Sequence, residues 1–146
     1  MKWKTAKSFI DATYHKSYDM DGYYGRQCWD YGEFFWLRQV KRDLSTGGTG
    51  CASGCWTNAI ARKNNAGKDF SLITKKANLK VGDWVILGNK PYGHVAIIQE
   101  IDKKKNRYKL QGQNQGVKKT WVNRVWFNID KDFLGAFRFK EWNKKW

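Results

Sequence analysis

Acids are in short supply in this 146-residue chain, where 13 Asp and Glu stand against 28 Lys and Arg for a net charge of +15. The imbalance points to a polyanionic partner such as nucleic acid, an acidic membrane surface or an anionic cell wall, and says little about fold. No stretch approaches about 18 consecutive apolar residues, which excludes a membrane-spanning helix. The opening MKWKTAKSFIDATYHK carries lysines but no apolar run long enough for a signal peptide. Synthesis for the cytoplasm, or a mature or trimmed form, is the expectation. Cysteines number only three, an odd count that argues against a disulfide-built scaffold and leaves at least one thiol unpaired. Histidine occurs only at His15 and His94, so any imidazole chemistry falls on one of two residues.

What is present argues for a folded domain. Apolar residues make up 41% of the chain, near the globular norm. The length suits one domain over residues 1–146 with a real core. Nine tryptophans exceed core needs, so some are expected to line a groove; Trp29, Trp56 and Trp121 are the candidates.

Trp3, Ala6, Phe9, Ile10 and Thr13 recur at helical spacing within residues 1–18. The proline-free run CWDYGEFFWLRQV predicts a buried helix from Cys28 to Val40, and residues 51–66 predict further short helices. The second half changes period. Strands are expected at Asp83–Leu87, His94–Ile101, Arg107–Asn114, Trp121–Phe127 and Phe133–Phe139. Helices first and strands after make an α+β fold, with N-terminal helices packed on an antiparallel sheet of five or six strands.

Cys28 stands where a loop becomes a helix. A helix N-terminus carries about half a positive charge and unpaired N–H groups, which favour a thiolate. Gly25 permits the tight backbone just upstream, and Arg26 adds positive potential. His94 follows a Pro-Tyr-Gly turn and opens an apolar strand, so its ring is placed at the sheet's edge; His15 lies in a polar stretch and reads as surface. A base needs a partner for its second ring nitrogen. Pairing Ile101 with Arg107 across the hairpin sets Asn114 directly opposite His94, with Cβ atoms about 5 Å apart. A one-residue slip would bring Gln113 there instead. Cys28, His94 and Asn114 then follow the papain-type Cys–His–Asn order.

Just upstream, Asp19, Asp21, Tyr23, Gly25 and Asp30 occupy positions 1, 3, 5, 7 and 12 of a loop, the ligand spacing of a calcium site. Tyr24 at the usual glycine position and Asp30 in place of Glu depart from an EF-hand. The rival reading has Asp19 and Asp21 shaping a turn and Asp30 stabilising the first helical turn. Cys51 and Cys55, too poor in soft neighbours for a closed zinc site, read as structural thiols.

The segments DMDGYYGRQCWD (19–30), VGDWVILG (81–88), YGHVAII (92–98), GQNQG (112–116) and FLGAFRF (133–139) resemble the CHAP family, the cysteine, histidine-dependent amidohydrolases/peptidases, especially those of phage endolysins. The resemblance implies a papain-like α+β fold and cleavage of peptidoglycan. The bond cut would be a peptide bond of the stem or cross-bridge, or the amide between muramic acid and L-alanine. It makes Cys28 the nucleophile and His94 the base, and it assigns calcium to the loop of Asp19, Asp21, Tyr23, Gly25 and Asp30. Many relatives carry an acid where this chain has Gly112, so the orienting role passes to Asn114, or to Gln111 or Gln113. Expected partners are Gram-positive peptidoglycan and teichoic acids, for a monomer made in the host cytoplasm and acting on the wall. No nucleic acid and no membrane insertion are expected. A separate C-terminal wall-binding domain would follow the EWNKKW tail. The competing reading is a non-catalytic, basic, aromatic binding module for cell wall or nucleic acid.

Overall fold

Helix formation begins where the apolar spacing and a capping residue coincide. In the computed structural model, which describes residues 3–20, 22, 27–116 and 120–142, helix α1 spans Ala6–Thr13. Thr5 caps it: its hydroxyl accepts the Ser8 N–H at 3.1 Å, and Ser8 Oγ accepts the Thr5 N–H at 3.3 Å. Ala6, Phe9, Ile10 and Thr13 are its buried face, so the periodicity holds over a shorter helix than residues 1–18.

Helix α2 covers Cys28–Phe35 and runs on as a π-helical turn over Trp36–Val40, matching the expected bounds. Lys41, at φ 69°, ends it with its N–H on the Trp36 carbonyl. Two short helices follow, α3 (Gly54–Thr57) and α4 (Ala59–Ala66), the latter capped by Asn58 Oδ1 on the Ala61 N–H.

Six antiparallel strands form one sheet: β1 (Phe70–Ile73), β2 (Trp84–Leu87), β3 (His94–Asp102), β4 (Arg107–Gly112), β5 (Asn123–Phe127) and β6 (Phe133–Phe139), in spatial order β1-β6-β2-β3-β4-β5. Strands β2 to β5 form a meander, and β6 returns to fill the gap between β2 and β1. Strand β1 was not among the expected strands. Alternation along the strands makes two apolar layers. Trp84, Ile86, Val95, Ile97, Phe137 and Phe139 pack with Phe9, Tyr31, Phe35 and Trp36 of the helices. Val85, Leu87, Ala96, Ile98 and Leu110 face the other way with Leu79 and Ile129. Strand β3 is therefore buried on both sides from His94 to Ile98, as its unbroken apolar run predicts.

The β3–β4 register is where the expectation departs from the fold. Next to the turn Asp102 pairs with Arg107 and Ile101 with Tyr108; a bulge between Ile98 and Glu100 then shifts the ladder so that Ile97 pairs with Gln111. Beyond the bulge the ladder lies in the expected register, but β4 ends at Gly112, two residues short of the position opposite His94. Among the described residues no helix is long and apolar enough to cross a membrane.

Candidate active site

Cys28 is the first residue of α2, and the residues around it fix the segment before the helix. Asp30, buried in the first turn, accepts the Gln27 N–H and the Met20 N–H, both at 2.8 Å. Gln113, also buried, accepts the Tyr18 N–H at 2.7 Å and donates to the Tyr18 and Gln27 carbonyls at 2.8 and 2.9 Å. One carboxylate and one amide thus clamp both ends of the loop that precedes the cysteine. Of the proposed calcium ligands, Asp21, Tyr23 and Gly25 lie outside the described residues. Asp19 is exposed, with Oδ1 on the Gly22 N–H at 3.1 Å.

His94 opens β3 directly after Gly93. Gly93 has φ 77°, and a Cβ there would stand 2.5 Å from Ser53 Cβ and 2.7 Å from the Leu87 carbonyl, so this turn requires glycine. The alternation puts the His94 side chain on the side of Ala96 and Ile98, where it is buried and stacks on Phe127 at 5.8 Å. The Cys28 sulfur reaches the same strand end from the helix side and accepts from the backbone N–H of Val95, the next residue after His94. Both residues therefore stand at the start of β3, Cys28 on the Val95 N–H from the helix side and the His94 ring on the face of Phe127. His15 is exposed and stacks on Tyr14, away from this pair.

Electrostatics differ from the expectation of a depressed thiol. Burial pushes Cys28 up to about 11; backbone N–H groups of Val95, Trp29 and Cys28 itself oppose this, and the Asp30 charge adds to it. Burial also lowers His94 below its usual value, partly offset by its hydrogen bond to the Gln115 side-chain oxygen. Burial thus disfavours the thiolate and the imidazolium alike. Burial, followed by the nearby Cys28 charge, likewise raises Cys55, which sits in the core; all three cysteines are free thiols.

Asn114 is not the residue that meets the imidazole. It adopts φ 57°, in the left-handed region, and its Nδ2 donates to Gln27 Oε1 at 2.8 Å. The turn brings Gln115 back to the histidine, and Gln115 Oε1 lies 2.8 Å from His94 Nε2. Gln111 is committed elsewhere. Its Nε2 donates to the Ile10 carbonyl at 2.7 Å and to Tyr31 OH at 3.0 Å, and its Oε1 accepts from Arg124 Nε at 2.8 Å. No sequence signal marked Gln115, because a non-glycine residue with positive φ is not legible from residue spacing.

The tryptophans divide. Trp56 is core, its ring against Gly135 and Phe137. Trp29 is half-buried, with its ring N–H on the Leu44 carbonyl, and Trp121 is exposed.

The backbone is similar to two solved proteins. A crystal structure of the wild-type endolysin LysIME-EF1 superposes with a TM-score of 0.70 at 20% identity, over 95% of this chain and 64% of that one. The crystal structure of Ly7917 does so with a TM-score of 0.63 at 18% identity, over 92% and 61%. The chain thus spans less than two thirds of the length of these structures. No curated protein sequence matches it. The model of the CHAP domain matches residues 17–114, a span that carries Cys28 and His94 and stops one residue before Gln115. With an α+β architecture and a family match over most of its length, the chain belongs to the CHAP domain family.

Proposed function

We propose that the chain is a peptidoglycan hydrolase of the phage endolysin type, cutting a peptide or amide bond of the Gram-positive wall by acyl transfer through Cys28 and His94. The observation that carries this reading is the position of Cys28 at the head of α2, its sulfur held at the strand residue that follows the chain's only buried histidine. In the attack the thiol proton passes to the imidazole as sulfur bonds the carbonyl carbon. His94 then gives that proton to the departing amine, and water hydrolyses the thioester to free the acid and restore the thiol. The developing oxyanion meets the Cys28 backbone N–H, which as the first of the helix has no intrahelical carbonyl to serve. Gln27 is the second donor; Asn114 occupies its Oε1, which fixes Nε2 as the donating end of that amide.

Because burial disfavours the charged form of both groups, the proton transfer is part of the barrier. The positive end of the helix start stabilises the thiolate as it forms. Calcium belongs to the same proposal as a brace for the loop before Cys28. The described residues fit it in part: Asp19 offers an exposed carboxylate, whereas Asp30 is turned inward onto the Met20 and Gln27 N–H groups. Asp19, Asp21 and the carbonyls of Tyr23 and Gly25 would hold the ion, with Asp30 closing the loop behind it. The net charge of +15 would concentrate a monomeric enzyme on teichoic-acid-bearing walls.

The test is Cys28→Ala. Lysis of Gram-positive walls, followed as loss of turbidity, should disappear while the protein still sediments with the walls. Lysis that survives the substitution rules out this mechanism.

A further inference from the structure

We propose that Gln115 is the positioning residue of the pair, its side-chain oxygen holding His94 in the tautomer that leaves Nδ1 free to take the Cys28 proton. This rests on the hydrolase reading above and adds a residue that lies outside both the expected triad and the family match.

The first step is to fix the direction of the Gln115 amide. Its Nε2 donates to the Leu110 carbonyl at 2.8 Å and to the Asn123 carbonyl at 3.1 Å. Both partners are acceptors only, so that end must be the NH2 group, and the atom 2.8 Å from His94 Nε2 must be the oxygen. An amide oxygen cannot donate. His94 Nε2 therefore carries the hydrogen, and Nδ1 is the unprotonated nitrogen of the neutral ring. A general base for Cys28 needs that tautomer.

The second step is that Gln115 has little freedom to do anything else. It is buried, its own carbonyl accepts from Asn123 Nδ2 at 2.8 Å, and the left-handed turn at Asn114 sets its direction. Gly112 leaves the space it fills. A Cβ on Gly112 would stand 3.0 Å from Ala96 Cβ and 3.1 Å from Gln115 Oε1. The absence of a side chain at 112 and the arrival of an amide from 115 are thus two halves of one arrangement. Asn114, Gln111 and Gln113 have their amides committed to Gln27, α1 and the loop before Cys28.

The groups around the ring are Gln115, the Phe127 ring of β5 and the paired Leu87 of β2, while Cys28, with the Asp30 charge acting on it, approaches the next strand residue, Val95, from α2. The partner bonded to the ring is a neutral amide, so converting it to a carboxylate raises the imidazole pKa and losing it lowers that pKa.

The experiment has a part that needs no substitution. Nitrogen-15 NMR of the wild-type chain above the His94 titration should show the Nε2–H tautomer; an Nδ1–H tautomer overturns the proposal. Gln115→Leu, Gln115→Glu and Gly112→Glu/Gln115→Ala are then compared by the pH dependence of wall lysis and of iodoacetamide alkylation of Cys28. Gln115→Leu should lower kcat about tenfold with KM little changed, the size of one lost hydrogen bond. Its acid limb, set by deprotonation of the imidazole, should move to lower pH. Gln115→Glu should move that limb to higher pH, and the double variant should recover part of the loss, its acid reaching the ring from 112. An unmoved limb across folded variants, or a loss confined to KM, overturns the proposal. If Gln115→Leu fails to fold, the wild-type tautomer and the Gln115→Glu profile decide. Tautomer and alkylation do not depend on wall cleavage, so failure of the hydrolase reading would show separately, as lysis retained by Cys28→Ala.

Discussion

Removing Arg138 should cost this fold several kcal/mol, about 3–5, and the cost should depend on pH. Asp83, 1% exposed at the start of β2, receives Arg138 Nε on Oδ1 and Arg138 Nη2 on Oδ2, both at 2.8 Å, and the Lys80 N–H on Oδ2 at 2.8 Å. Arg138 also donates to the Asn78 carbonyl at 2.7 Å, so it ties β6 to the segment leading into β2. Even so, burial holds the Asp83 carboxyl above the usual carboxylate range, with the Arg138 hydrogen bond the largest opposing influence. Stability linked to this group is therefore fully present below the unfolded carboxylate pKa and falls as pH rises through the raised folded value. Arg138→Leu strips the carboxylate of two of its three donors and leaves a buried, uncompensated charge. Breaking such a pair from one side costs about 3–5 kcal/mol. For a domain of this size about 0.3 kcal/mol corresponds to one degree, so the melting temperature should fall by about 10–16 °C at pH 7. The fall should shrink near pH 4, because a raised folded value leaves more of the carboxyl protonated there than an ordinary carboxylate. Asp83→Asn/Arg138→Leu should be more stable at pH 7 than Arg138→Leu alone. Calorimetry of the three proteins at both pH values checks this. An equal loss at both pH values, or no recovery in the double variant, would refute the reasoning.

Gly135→Ala should destabilise by roughly 1–3 kcal/mol or more through overpacking, because the new Cβ would stand 2.1 Å from Trp56 Cζ2, a rigid ring backed by Phe137; thermal denaturation reads it. Chelation with EDTA should lower the melting temperature and slow lysis, and calcium should restore both; a melt indifferent to chelator and calcium would count against the loop as a cation site. Wall sedimentation of Cys28→Ala should weaken as salt rises from 0.1 to 1 M, since the Debye length shrinks from about 10 to about 3 Å, and salt-independent binding would separate affinity from the net charge.

The elements that the sequence revealed are those with unbroken local patterns. Strand β6 has its expected bounds because FLGAFRF is bracketed by charged residues on both sides, and α2 with its π turn fills Cys28–Val40 because no proline or glycine pair interrupts it. Strand β1 escaped notice because four residues, FSLI, are too few to show a period, and its existence depends on pairing with β6 some 66 residues away, as Phe70 with Phe139 and Ile73 with Ala136. The placement of Cys28 at a helix start and of His94 at a strand start was legible from the local pattern. Their electrostatics were not, because the helix dipole is visible in sequence and the desolvation that outweighs it is a property of packing. The partner of His94 was misplaced for a geometric reason. The hairpin register was inferred correctly beyond the bulge, but β4 leaves the ladder at Gly112, and the left-handed Asn114 hands the position to its neighbour. Gln111 and Gln113, weighed as stand-ins, serve instead to fasten α1 and the loop before Cys28 to the sheet.

The central claim, that Cys28 is activated by His94, is tested most directly by mass-mapped iodoacetamide alkylation across pH in the wild-type chain and in His94→Gln. Cys28 is buried and Cys51 is more open to solvent, so exposure alone favours Cys51. The account predicts that at pH 7 Cys28 reacts faster than Cys51 and that the order reverses in His94→Gln, where no imidazole takes the proton. Cys28 that stays inert until the pH nears the value set by burial alone, with or without His94, would contradict it.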